Sequence, residues 1–292
     1  MIKYIEEKAI LCNFDELDVA QTLECGQCFR FEKISEGFYQ IIAFDRVLYI
    51  KQLENYIEFF PTNKVDFKAI WKPYFDLNRD YTELKKQLAF NDTVMKEAVG
   101  LSQGLRVLNQ DPWEALISFI ISQHNAIPNI KRVVRTLSER YGKPIIGTLE
   151  HSFPNPELLY NAGVDGLTAC KTGFRARYIL DACEKALNGE IILKRDNFEG
   201  IELETAAIRE QLICIKGVGD KVADCVLLYG YGKSDCFPID VWIKRAVEGL
   251  YFDGREQTMK EIYRFTKEKY GENAGFANIY LFSYIRMLSQ KK

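Results

Sequence analysis

The spacing of apolar residues changes once along this chain, and that change limits its fold more than any other feature. Between residues 37 and 60 they fall in short aromatic and β-branched runs, Gly37-Phe38-Tyr39-Gln40-Ile41-Ile42-Ala43-Phe44, then Val47-Leu48-Tyr49-Ile50, then Tyr56-Ile57-Glu58-Phe59-Phe60. Asp45-Arg46 and Leu53-Glu54-Asn55 part them, and Pro61-Thr62-Asn63 closes the series. Runs of this length separated by polar turns predict an antiparallel meander. From about Asp80 the spacing becomes helical, over 81–88, 93–101, 127–141, 175–187, 205–213, 221–229, 241–251, 257–270 and 274–288. Asp111-Pro112-Trp113-Glu114 supplies a capping Asp, a Pro at the first helical position and an acid in the first turn. The segment after it, 115–121, is apolar nearly all round and is expected to run through the core. The expected class is α+β: a small N-terminal antiparallel β-sheet domain over 1–78, then a large helical region over 79–292.

At 292 residues, 47% of them hydrophobic and 27% charged, the chain is neither disordered nor a small disulfide scaffold. No run approaches the roughly 18 apolar residues that a membrane span needs. The first residues, Met1-Ile2-Lys3-Tyr4-Ile5-Glu6-Glu7, carry acids where an export signal needs an apolar stretch. The eight cysteines are scattered and mostly lie in apolar runs, which predicts free buried thiols in a reducing, cytoplasmic compartment. Cys25 and Cys28 form a Cys-x-x-Cys, but no second pair at zinc spacing follows, so neither a metal nor a cofactor is expected. The net charge of −2 argues against an indiscriminate nucleic-acid coat. Residues 1–100 carry 13 basic and 17 acidic side chains and the remainder 26 and 24, so positive charge is concentrated in the helical region.

The informative stretch runs from Leu212 to Val226, Leu-Ile-Cys-Ile-Lys-Gly-Val-Gly-Asp-Lys-Val-Ala-Asp-Cys-Val, within a helical hairpin expected over 212–229. Gly217 and Gly219 flank one apolar residue, which permits a tight turn with outward amides beside a helix start, a favourable place for a phosphate. A bare Gly-x-Gly between helices is more often only a cap and a turn. Lys221, however, occupies the first turn of the second helix, where the dipole disfavours an ammonium. Nineteen residues later Asp240, in Phe237-Pro238-Ile239-Asp240-Val241-Trp242, is placed to cap another helix. An amine that can be neutral, with a carboxylate at a neighbouring helix start, is a nucleophile with a charge-stabilising partner.

The run Lys216-Gly217-Val218-Gly219-Asp220-Lys221-Val222-Ala223-Asp224-Cys225, followed by Pro238-Ile239-Asp240-Val241, resembles the helix-hairpin-helix, Gly/Pro-Asp superfamily of DNA glycosylases, and within it the eukaryotic-type 8-oxoguanine DNA glycosylases. Four further segments match that family in order: Gly26-Gln27-Cys28-Phe29-Arg30-Phe31, Asp111-Pro112 with 118–122, Gly173-Phe174-Arg175-Ala176-Arg177-Tyr178, and 275–283. The resemblance covers almost the whole chain. It implies a monomeric enzyme that takes double-stranded DNA containing oxidised guanine, expels the base by attack of Lys221 and nicks the strand by β-elimination, with Asp240 stabilising the sugar cation. It implies a base pocket of Gly26, whose carbonyl accepts the N7 hydrogen that 8-oxoguanine has and guanine lacks, with Cys225 and Phe282 on the two faces of the base. It further implies DNA contacts by His124 or Asn125 in the space left by the flipped base, by Phe174 as a wedge, by Arg175 and Arg177, and by the hairpin glycines. The carbonyls of Ile213, Ile215 and Val218 are candidate ligands for a cation bridging to a phosphate.

Besides Phe174, which stands where the family has a Tyr, and Cys25 and Cys28, which stand where it has serines, further positions depart from the family. Asn278 replaces a Gln that reads the base edge, Trp242 replaces a His near the phosphate, and Asn129 replaces one of two arginines that read the opposing cytosine. The other arginine is Arg175, so a relaxed preference for the opposing base is expected. Arg175, Arg177 and Lys131 are expected to face phosphates. Two rivals remain open here. A monofunctional alkylated-base glycosylase would need Asp240 but no Lys at 221, and a helix-hairpin-helix DNA-binding module would need neither.

Overall fold

The computed structural model describes residues 1–12, 14–193 and 204–290. Six antiparallel strands form one sheet: β1 (Ile2–Ile5), β2 (Lys8–Cys12), β3 (Phe31–Ser35), β4 (Phe38–Ala43), β5 (Arg46–Gln52) and β6 (Tyr56–Phe60), in the order β1-β2-β6-β5-β4-β3. The predicted meander is its centre, β4-β5-β6, with Tyr39 opposite Ile50 and Ile50 opposite Phe59. The expectation omitted the three flanking strands. β3, Phe-Glu-Lys-Ile-Ser, is exposed after its first residue, and β1 alternates between half-buried and exposed. Edge strands with one or no buried face leave no apolar run to read.

Helix also begins earlier than residue 80. The short α1 (Val19–Glu24) is capped by Asp18, whose side chain accepts from the Gln21 N–H at 2.8 Å. Residues 64–74 form a helical stretch, α2 (Lys64–Asp66) and α3 (Lys72–Tyr74) joined by a wide turn at Phe67–Trp71. These pieces cover one face of the sheet, burying Val19, Leu23, Phe67, Trp71 and Phe75 against Tyr39, Ile41, Leu48, Ile50 and Phe59.

The helical body comprises α4 (Tyr81–Ala89), α5 (Thr93–Leu101), α6 (Pro112–Ser122), α7 (Ile127–Tyr141), α8 (Pro156–Ala169), α9 (Ala176–Leu187), α10 (Thr205–Ile213), α11 (Asp220–Tyr229), α12 (Val241–Tyr251), α13 (Met259–Tyr270) and α14 (Ala274–Gln290). As its composition required, α6 is buried from Pro112 to Ile121 except at Glu114, and it packs against α7, α9 and α11. Asp111 caps it, accepting from the Glu114 N–H at 2.9 Å. α8 was not predicted, although Asn155-Pro156-Glu157 repeats that start signal. Gly163, at φ +65, breaks the helix internally and scrambles its apolar spacing.

Polar groups join the two layers. Arg106, fully buried, donates to the carbonyls of Phe75 and Asp76 at 3.1 and 3.0 Å. All eight cysteines are free thiols, six of them buried. Among the described residues no cluster of three metal-ligating side chains occurs, and no helix is long and apolar enough to cross a membrane.

Candidate active site

α10 and α11 form the predicted hairpin. Ile215 and Val218 turn into the core, while Gly217 stands exposed at φ +78. A Cβ at Gly217 would lie 2.3 Å from the Tyr178 ring of α9, so glycine is required there both by the backbone and by the packing. α9 also holds the turn through Asp181, which accepts from the Lys216 N–H at 2.8 Å and pairs with its ammonium at 3.0 Å. Burial would raise the Asp181 carboxyl, but these Lys216 contacts prevail and hold it below the usual range. Gly219 is the N-cap of α11 and offers no capping side chain, so the first amides of this helix are left for an outside acceptor. Of the three candidate cation carbonyls, that of Ile215 already accepts from the Val218 N–H at 3.0 Å.

Lys221 is half-buried in the first turn of α11, its ammonium 5.3 Å from the centre of the Phe119 ring on α6. One turn on, the Cys225 thiol is buried. Burial pushes it up to about 11, a hydrogen bond and the charge of Lys221 pull against that, and the carboxylates of Asp224 and Asp240 reinforce it. The Cys225 thiol thus feels the charge of both expected catalytic groups. Asp240 caps α12 as predicted, one carboxylate oxygen accepting from the Ile243 N–H at 2.8 Å.

A cavity of about 300 Å³ opens between α12 and α14, lined by Trp242, two residues beyond Asp240, and by Phe282, Ile285, Arg286 and Ser289. Gly26, at φ +94, borders it: a Cβ there would stand 4.0 Å from Phe282 and 3.3 Å from Ile127. Trp242, 60% exposed, is therefore a wall of the same cavity as Phe282. Asn278 is buried, and its amide donates to the Pro238 carbonyl at 2.8 Å, two residues before Asp240.

A second group gathers where α6 passes into α7. His124, exposed at φ +48, and Asn125 form the turn. The buried guanidinium of Arg175 donates to the carbonyls of Gln123, His124 and Thr172 and lies 4.4 Å from the Phe174 ring. Burial lowers its pKa. Phe174 itself is 54% exposed and rests edge-on against Tyr178 at 5.8 Å. Arg177 is exposed. Asn129 is engaged on both sides, its amide donating to Asn125 at 2.6 Å and its oxygen accepting from Arg132. Lys131 departs from the expectation. Its ammonium is half-buried 3.7 Å from the Phe31 ring, in a groove between the sheet and α7, so it is not extended toward a phosphate.

Two family models cover nearly the whole chain. Residues 9–116 match the 8-oxoguanine DNA glycosylase N-terminal domain, and residues 117–272 match the HhH-GPD superfamily base excision DNA repair protein. The chain belongs to the HhH-GPD superfamily, in its 8-oxoguanine DNA glycosylase branch. Among solved structures it resembles MBOgg1 in complex with a low-affinity DNA ligand, with 43% identity, 99% of each chain covered and a TM-score of 0.92. It also resembles the Clostridium acetobutylicum 8-oxoguanine glycosylase/lyase bound to double-stranded DNA, with 37% identity, 99% of this chain and 98% of that one covered, and a TM-score of 0.91. A Saccharomyces cerevisiae N-glycosylase/DNA lyase is 32% identical over 275 residues, 86% of this chain and 73% of its own.

For a glycosylase of this kind, several supporting residues were invisible in the sequence. Tyr178 and Asp181 hold the hairpin turn from another helix. Arg209 on α10 pairs with the fully buried Asp224 on α11, which also accepts from the Tyr263 hydroxyl at 2.8 Å, tying the two hairpin helices together. Burial pushes the Asp224 carboxyl up to about 6 against the attraction of Arg209. Nothing local marks the partners of Asp224.

Proposed function

We propose that this protein flips 8-oxoguanine out of duplex DNA, releases it and nicks the strand through a covalent intermediate on Lys221. The observation that carries the proposal is the placing of Lys221 in the first turn of the second hairpin helix and of Asp240 at the start of α12, both acting on the buried Cys225 thiol, with a cavity walled by Trp242, two residues beyond Asp240, and by Phe282. In its neutral form the Lys221 amine attacks C1′ of the flipped nucleotide. The glycosidic bond breaks, its electron pair leaves with the base, and the base takes up a proton. The amine–C1′ adduct opens the sugar to a Schiff base. Loss of a C2′ proton then expels the 3′ phosphate by β-elimination. The remaining carboxylate oxygen of Asp240 stabilises positive charge developing on the sugar.

Cys225 and Phe282 present the two faces between which the base lies, and the Gly26 carbonyl accepts the N7 hydrogen of the lesion. One such hydrogen bond, against a clash of acceptors with guanine, is worth ~1–3 kcal/mol. Phe174 wedges the duplex, and His124 with Asn125 fills the space that the base leaves. Arg177 and the hairpin amides at Gly217 and Gly219 contact phosphates. The protein acts as a monomer on chromosomal DNA in the cytoplasm.

The test is a purified Lys221→Gln variant on a duplex containing one 8-oxoguanine. Base release and nicking are both expected to vanish while lesion binding persists, since one amine performs both steps. Asp240→Asn is expected to slow base release severely with a smaller change in affinity. A Lys221→Gln protein that still releases the base would point to the monofunctional alternative.

A further inference from the structure

Gly26 has the least constrained backbone in the base cavity, and at φ +94 the direction of its carbonyl depends on how its flanks are held. The C-terminal flank is saturated. Gln27 is buried and donates to the Thr22 and Arg106 carbonyls at 2.7 and 2.8 Å. Its side-chain oxygen accepts from the Leu108 N–H at 2.8 Å, and its own carbonyl accepts from Gln110 at 2.6 Å. The N-terminal flank is the end of α1, a helix of six residues. There the Glu24 carbonyl accepts from Arg286 Nη1 at 2.9 Å.

Arg286 reaches that carbonyl from the opposite wall of the cavity. Asn278, Phe282 and Arg286 follow at four-residue spacing along α14 and so share one face of the helix. The guanidinium lies 5.9 Å from the centre of the Phe282 ring, and a Cβ on Gly26 would stand 4.0 Å from Nη1. One side chain therefore links the stacking face of the cavity to the segment that carries the discriminating carbonyl.

We propose that Arg286 is a positioning residue for lesion recognition, holding the Glu24 carbonyl so that the Gly26 carbonyl meets the N7 hydrogen of the base. The inference rests on the role given to Gly26 above. A hydrogen bond to N7–H weakens steeply once the acceptor drifts or tilts, and on the N-terminal side of Gly26 the Arg286 bond to Glu24 reinforces the weak one that Cys25 Sγ donates to the Thr22 carbonyl at 3.3 Å. Arg286 is not asked to touch the reacting atoms, so strand nicking at a site that has already lost its base does not need it.

The experiment compares Arg286→Ala and Arg286→Lys with the native protein on two duplexes, one holding 8-oxoguanine and one holding a preformed abasic site. Under single-turnover conditions Arg286→Ala is expected to release the base about three- to tenfold more slowly, the effect of losing one hydrogen bond. Nicking of the abasic duplex, which has no base to read, is expected to slow much less than base release, and the thermal midpoint is expected to fall by about 2–4 °C at most. Arg286→Lys, which keeps a donor, is expected to recover a large part of the lost rate. Equal slowing on both duplexes, or undiminished base release by Arg286→Ala, overturns the proposal. Native protein that nicks the abasic duplex but leaves 8-oxoguanine in place would instead overturn the substrate reading on which it stands.

Discussion

Replacing Gly217 by alanine puts a methyl group where the Tyr178 ring already is. The new Cβ would lie 2.3, 2.4 and 2.6 Å from three ring carbons, at a backbone φ of +78. A left-handed conformation costs an L-residue about 1–2 kcal/mol. Overpacking of this kind adds about 1–3 kcal/mol, because the ring must move. Tyr178 cannot withdraw freely, since it rests against Phe174 at 5.8 Å while Asp181 on the same helix grips Lys216. The expected loss is therefore about 2–5 kcal/mol, read as a lower midpoint in denaturant unfolding. DNA affinity is expected to fall as well, because the hairpin turn is what moves. In the double variant Gly217→Ala/Tyr178→Ala the overlap is gone and only the backbone term remains. A double-mutant cycle should then give a coupling of about 1–3 kcal/mol. A single variant with native midpoint and native affinity would refute the account of how the turn is held.

DNA affinity is expected to fall about three- to fourfold between about 50 and about 200 mM salt for each phosphate that a cation such as the exposed Arg177 neutralises, despite the net charge of −2. Filter binding at several salt concentrations checks this, and a flat response would place the DNA on another face. Single-turnover excision opposite each of the four bases is expected to differ by much less than a strict cytosine reader would show, since Asn129 lacks a guanidinium and is engaged with Asn125 and Arg132. A strict preference for cytosine would mean that Arg132 has taken over the vacant role. Glu114→Gln is expected to flatten the stability profile between about pH 4.5 and 7. Burial pushes this carboxyl up to about 7 despite the Arg30 ion pair, so the folded state holds the proton longer than the unfolded chain. Its stabilising contribution is then complete below about 4.5 and lost as the pH rises through 7. Native protein whose stability rises over that interval, with Glu114→Gln unchanged, would contradict the assignment.

What the sequence revealed were features written in local spacing. The meander 38–60, the buried α6, the Gly-Val-Gly hairpin and the Asp240 cap each depend on residues a few positions apart, and each is where periodicity or capping chemistry placed it. What it concealed were partners set by tertiary packing. β3 presents almost no buried face, and α8 carries an internal Gly163 that breaks its period. Lys131 belongs by charge to a phosphate-binding set, yet Phe31, one hundred residues away, draws it into a groove. Arg175 was expected to contact DNA only through the resemblance, and nothing in the sequence marked the three carbonyls that hold its buried guanidinium. Arg286 lies one turn beyond Phe282 on the same face, yet nothing in the sequence singled it out or marked its partner at Glu24.

Borohydride trapping tests the central claim most directly. Native protein incubated with a duplex containing 8-oxoguanine and then reduced is expected to form a stable adduct of protein and DNA. Peptide mapping should place that adduct on Lys221, and Lys221→Gln should form none. Base release without any reducible adduct, or an adduct undiminished in Lys221→Gln, would contradict the assignment of Lys221 as the nucleophile.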